Sequence, residues 1–229
     1  MTTTRNSTAG AGTSNAPCEG PARVTRSLLG WGIVAGPVYV VVALAQALTR
    51  DGFDIARHDV SLLANGHLGW IQIANFVLTG LMVVAGAVGL RRALRSGRGS
   101  TWGPLLVGGY GVGLIAAGAF RADPAFGFPP GTPADAGTVS WHGLLHFVAA
   151  GVGFLALIAA CFVFARRFAG LGQRGWAAYS AASGALFLAA FIGIASGSGS
   201  SWAVLAFWIG VLVAWAWISV TAARLYADA

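Results

Sequence analysis

The chain has no lysine. All 14 of its basic residues are arginine, and they face only seven acids across 229 residues, so charged side chains make up 9% of the sequence. A soluble domain carries roughly 25%, and a chain this poor in charge cannot present a whole surface to water. Cysteine is as scarce. Cys18 lies in the N-terminal stretch and Cys161 in an apolar run. They share neither a loop nor a helix, so no structural disulfide is expected, and no CxxC-type metal spacing exists.

Hydrophobic residues are abundant, at 56%, and the mean hydropathy is +0.72. Several apolar runs reach the roughly 20 residues needed to cross a bilayer. A net charge of +7 could suit nucleic acid. Here, however, the arginines sit mostly in short stretches between apolar runs, where they set membrane topology instead. The expected class is all-α, a polytopic integral membrane six-helix bundle. Its partner is the lipid bilayer, and no nucleic acid is expected.

Residues 1–24 are rich in Thr, Ser, Gly and Ala and bury too little apolar surface to order themselves, so they read as a disordered cytoplasmic tail. One transmembrane domain is expected over 25–225, with helices at about 27–48, 70–90, 102–120, 141–165, 176–196 and 202–223. Pro37 falls inside the first and is expected to kink it. The third carries Gly109-xxx-Gly113, a spacing that lets helices approach closely. Eleven arginines fall in the tail, the loops after the second and fourth helices and the C-terminus, whereas only Arg50, Arg57 and Arg121 fall on the other side. The positive-inside rule therefore places both termini in the cytoplasm, in a cell membrane. All four histidines and five of the seven acids then lie on the outer side.

The stretch from Arg57 to Gly80, RHDVSLLANGHLGWIQIANFVLTG, concentrates this polarity. Gln72, Asn75 and Thr79 lie on one face of a helix; such residues serve as ligand contacts or as hydrogen-bonding glue between helices. Three segments bring ionisable groups to one membrane face: His58-Asp59-x-Ser61, Arg121-Ala122-Asp123-Pro124 and His142-xxx-His146. Ionisable groups near a membrane core are costly and point to function. His142 and His146 are four apart and share a helix face, which suits two ligands of one divalent metal such as zinc. His58, Asp59 or Asp123 would supply a third ligand, and an open position would hold water. The bland alternative is a pair of interfacial histidines bonded to water or backbone. Asp123-Pro124 also reads as turn chemistry at a helix end, and Ser61 as the N-cap of a short interfacial helix starting at Leu62. A nucleophilic Ser61 would need His58 as base, but no GxSxG-like elbow surrounds it. A haem held by His142 or His146 would find an opposing partner only in His58.

The run HDVSLLANGHLGWIQIANFVLTG followed by AGAVGLRRAL, then FRADPAFGFPPGTP and WHGLLHF, resembles the bacterial and archaeal membrane family called domain of unknown function 998. The resemblance covers about Leu28 to Ala223. It implies a compact six-helix membrane protein and no established activity. It also singles out His58, Ser61, Gly66, Gly69, Gln72, Asn75, Phe76, Gly80, Asp123, Pro124, Pro130, Gly131 and His146. A more distant likeness is to membrane hydrolases of the alkaline ceramidase type, which set a Ser, an Asp and an HxxxH pair around an intramembrane metal. Those have seven helices with HxxxH near the chain end, whereas here it opens the fourth.

Two functions are expected. In one, His58, Asp59, Ser61, Asp123, His142 and His146 form an outward-facing site that acts on a lipid-like substrate. Its chemistry is either metal-activated water with an Asp as base or a protonated Asp that starts an isoprenoid cyclisation. In the other, the protein is a non-catalytic accessory subunit or a small-solute permease.

Overall fold

The computed structural model describes residues 19–196 and 200–229. Six long helices account for most of them: α1 (Glu19–Thr49), α2 (Gly69–Ala93), α3 (Trp102–Ala119), α4 (Trp141–Gly170), α5 (Arg174–Ala195) and α6 (Ser201–Ala227). Each is long and apolar enough to cross a membrane, and the described residues form no strand. A short 3₁₀ segment, Val60–Ala64, lies between α1 and α2.

The expected boundaries hold to within a few residues except at three ends. α1 begins at Glu19 rather than near Ser27. Residues 19–24, assigned by composition to the tail, are therefore helical, while residues 1–18 lie outside the described residues. A tertiary contact holds this early turn: Arg92, at the end of α2, donates to Thr25 Oγ1 (3.2 Å) and to the Pro21 carbonyl (3.4 Å). α4 and α6 run on to Gly170 and Ala227, where Arg167 and Arg224 meet the negative ends of their helix dipoles. α1 passes through Pro37 as one continuous helix.

Each helix packs on its chain neighbours, and α6 returns to α1, so the six close into a ring. Six alternating helices leave the start of α1 and the end of α6 on one face, the terminal face. The opposite face, here the cap, carries residues 50–68 and 120–140. Lipid offers no hydrophobic drive between helices, so close packing must hold them. Glycine supplies it. A Cβ on Gly80 would stand 2.7 Å from the Gly111 carbonyl across α2 and α3. One on Gly113 would stand 2.9 Å from Gly153 Cα across α3 and α4, and one on Gly36 would stand 2.9 Å from the Trp215 carbonyl across α1 and α6. The Gly109-xxx-Gly113 pair thus turns its second glycine to α4.

Large apolar side chains such as Val41, Leu78, Leu105, Val152 and Ile209 are exposed around the outside of the ring, as a lipid-facing wall requires. Trp70, Trp141 and Trp202, at the cap-side starts of α2, α4 and α6, are exposed as well, where an interfacial aromatic belt would sit. Inside the ring, the half towards the terminal face is filled by rings. Trp215 stacks on Tyr39 (4.5 Å between centroids) and meets Tyr110 edge-on (5.6 Å), and Trp217 packs on Phe164 (5.5 Å).

Candidate functional site

Arg50, the residue just beyond α1, organises the cap. Its guanidinium donates to the carbonyls of Leu63 and Asn65 and lies over the Phe128 ring at 4.9 Å. Partial burial draws its pKa below the ordinary arginine value, and the carbonyls and ring face replace the lost water. The chain can turn beneath it because Gly66 has φ +73°; a Cβ there would also meet the guanidinium at 2.9 Å.

His58 is buried, and both ring nitrogens are engaged by backbone. Nδ1 accepts from the Asp54 N–H (2.9 Å), so Nε2 carries the proton and donates to the Phe126 carbonyl (3.0 Å). A backbone N–H can only donate, which fixes that tautomer. The His58 carbonyl accepts from Trp208 Nε1 (3.0 Å), and Phe53 and Phe128 flank the ring. His58 therefore staples two loops and α6 together, with no lone pair left for a metal or a transferred proton.

Asp123 is engaged at the start of α4. It accepts from Ser140 N–H (2.7 Å) and Oγ–H (2.6 Å), and Ser140 Oγ in turn accepts from the Gly143 N–H (3.2 Å), capping α4. A Cβ on Gly143 would fall 2.0 Å from the Asp123 carboxylate, which explains the glycine between the two histidines.

Those histidines diverge. His142 is exposed, its ring 3.7 Å from that of Trp141. His146 is buried and turned to the end of α3, where Nδ1 donates to the carbonyls of Ala117 (3.0 Å) and Phe120 (2.8 Å). Among the described residues, no three His, Cys, Asp or Glu side chains gather closely enough to hold a metal. The short helix after His58 is capped by Asp59 rather than by Ser61. Asp59 Oδ1 accepts from both Ser61 N–H (2.9 Å) and Ser61 Oγ–H.

Asp59, Ser61 and His146 all line one cavity of about 460 Å³ at the cap end of the ring. All six helices contribute to its lining, which is otherwise mostly apolar; Phe76, Leu114, Phe154, Phe207 and Val211 are representative. Tyr39 and Tyr110 border it, and their contacts with Trp215 close the ring below. Since Nδ1 of His146 is bonded to α3, Nε2 is its free lone pair.

Gln72, Asn75 and Thr79 are not on this wall. They are buried between α1 and α2. Gln46 Nε2 donates to Gln72 Oε1 (2.8 Å), Asn75 Nδ2 to the Tyr39 carbonyl (3.1 Å), and Thr79 Oγ1 to the Asn75 carbonyl (2.5 Å). The Gln72 and Asn75 bonds join α1 to α2, whereas Thr79 bonds back within α2; Tyr39, whose side chain lies beside Gln72, also borders the cavity. Sequence reasoning missed both the cavity and Arg50. The cluster of small residues Gly113, Ala150, Gly151 and Gly153, which all line the hollow, was the available signal.

Six helices long and apolar enough to span, closed around a cap-side apolar hollow, define a multi-pass membrane protein with a pocket inside its helix ring. Within that class, the chain belongs to the family described as Protein of unknown function (DUF998), whose model matches residues 33–224. No curated protein and no solved structure matches it.

Proposed function

We propose that the protein is a membrane enzyme that takes a lipid-like molecule into the cap-side cavity and acts on its polar end with His146, Asp59 and Ser61. One observation carries this reading: an otherwise apolar cavity has an imidazole, a carboxylate and a hydroxyl on its wall. Few apolar pockets carry an ionisable pair without a use for it.

The chemistry is proton transfer at the polar end of the ligand. His146 Nε2 accepts the proton, and the carbonyls of Ala117 and Phe120, already bonded to Nδ1–H, stabilise the imidazolium that forms. Asp59 and the Ser61 oxygen bind and orient the ligand's hydrogen-bonding groups. A base so placed is worth about 10²–10⁴-fold in rate. A metal shared by His142 and His146 gains no support from their divergence. The permease alternative gains none from a cavity closed below by Tyr39, Trp215 and Tyr110. With the arginine-rich terminal face in the cytoplasm, the cavity lies on the outer side of the cell membrane.

The test is organic extraction of the protein purified in mild detergent, with mass spectrometry of what co-purifies. Wild type should yield one chemical class of lipid near stoichiometry. Leu114→Trp, which fills the cavity, should yield none while keeping its thermal midpoint. His146→Ala should retain the lipid unprocessed. No lipid above the detergent blank in wild type would sink the reading.

A further inference from the structure

The cavity wall is uneven. Its lining on α1, α2, α3 and α6, such as Tyr39, Phe76, Leu114 and Phe207, is buried apart from the half-buried Gly113. On the α4–α5 side, Phe147 is 57% exposed, Ala195 is exposed, and Ala150, Gly151, Phe191 and Ile194 are half-buried.

Packing between the same two helices changes along their length. Deeper in the membrane a Cβ on Gly184 would stand 2.8 Å from Cys161 Cβ, so α4 and α5 are tightly joined there. Nearer the cap a Cβ on Gly151 would meet nothing closer than the Phe191 ring, at 3.8 Å. The backbones approach closely at Gly184, whereas nearer the cap the pair meets through side chains, Phe154 against Phe191 (5.5 Å between centroids), and that wider end borders the hollow.

At 1.5 Å per residue, Phe147 and Gly151 lie about 9 Å and about 15 Å along α4 from Trp141 in the interfacial belt. Half of a hydrocarbon core is about 15 Å thick. The gap therefore faces acyl chains of the cap-side leaflet and not water.

We infer, building on the proposed lipid-acting reading, that a single-chain lipid with a neutral, hydroxyl-bearing head enters this cavity sideways from the cap-side leaflet, through a mouth between the cap halves of α4 and α5. Three features select that ligand. The polar groups sit at the cap end, so the lipid keeps the orientation it has in the bilayer and need not turn over. The volume of about 460 Å³ is near the low end of the roughly 300–1,000 Å³ that holds a drug-sized ligand, room for one chain and not two. The Asp59 carboxylate borders the site while the Arg50 guanidinium is occupied by the carbonyls of Leu63 and Asn65. A phosphate or carboxylate head would meet the Asp59 carboxylate with no guanidinium among the lining residues to bind it, whereas a hydroxyl can donate to that carboxylate.

The experiment uses the full chain in phosphatidylcholine vesicles, with a diazirine-bearing long-chain alcohol as photoprobe and peptide mass spectrometry as readout. Wild type should be labelled on cavity residues, and the matching long-chain fatty acid should compete at least tenfold less well than the unlabelled alcohol. Gly151→Trp, which plugs the mouth, should slow the initial labelling at least tenfold with an unchanged thermal midpoint. Ala195→Trp blocks the same mouth from α5 and replaces it if the first variant misfolds. Wild-type rates in both plugged variants would overturn the lateral route and leave the lipid reading standing. Equal competition by the acid would overturn the neutral head. No labelling of cavity residues in wild type would remove the underlying reading itself.

Discussion

Asp123 and Ser140 offer the sharpest test of whether a membrane-boundary carboxylate is structural or chemical. Asp123 accepts two hydrogen bonds from Ser140, at 2.7 and 2.6 Å, and Ser140 Oγ caps α4 through the Gly143 N–H. A hydrogen bond to a charged group contributes about 1.5–3 kcal/mol. Both residues are half-buried, so water recovers part of that loss. Asp123→Ala should therefore destabilise the protein by about 2–3 kcal/mol. Ser140→Ala keeps its N–H bond to Asp123 but loses the hydroxyl and the cap, and should cost about 1.5–2.5 kcal/mol. The two share one bond, Oγ to Oδ1, so the double variant should fall short of additivity by about 1 kcal/mol. Reversible unfolding by sodium dodecyl sulfate in mixed micelles, followed by tryptophan fluorescence, measures all three. A coupling below about 0.3 kcal/mol would refute the staple. So would an Asp123→Ala protein of native stability that loses the lipid expected to co-purify with wild type, which would return Asp123 to the chemistry.

Other consequences follow from the packing. Gly113→Leu drives a side chain into Gly153 and should cost about 1–3 kcal/mol or prevent folding, seen as a lowered thermal midpoint. Gln46→Leu with Gln72→Leu should stay within about 1 kcal/mol of wild type, because removing both partners of a buried pair is nearly neutral; Gln46→Leu alone leaves Gln72 Oε1 without its 2.8 Å donor and should unfold earlier in the same titration. Cys161 is 1% exposed. In a Cys18→Ser background its maleimide labelling should be at least about a hundredfold slower in native micelles than after unfolding, since it waits on opening of the helix pair. Rapid native labelling would contradict the tight α4–α5 contact.

The helices were legible because each apolar run is bounded by arginines or by Gly- and Pro-rich turns, signals that are local. The early start of α1 was not, because Arg92 fixes it from 67 positions away. His58 and Asp123 stood out for their chemistry, yet what they bond to was hidden. The His58 partner is a carbonyl in a loop where Phe126 has φ +57° and Gly127 +84°, a course that no propensity specifies. Of the cavity, little beyond the small residues Gly113, Ala150, Gly151 and Gly153 was visible, for a different reason. Its wall is assembled from side chains on six helices, each of which reads alone as ordinary apolar span. That Ser61, Asp59 and His146 line one cavity follows only from the ring, which sets the segment after α1 beside the start of α4.

Closure of the ring by α6 on α1 has a bearing on how the protein is made. The helix that completes the barrel is the last to leave the ribosome. At about 5–20 residues per second, α1 waits roughly 10–40 s in the membrane before that neighbour exists. Through that interval the hollow lacks the wall that Phe207 and Val211 later supply, and it stands open to the surrounding acyl chains. The cavity thus gains its last wall only after the other five are in place, so its shape is fixed by the final helix of the six and by no earlier one.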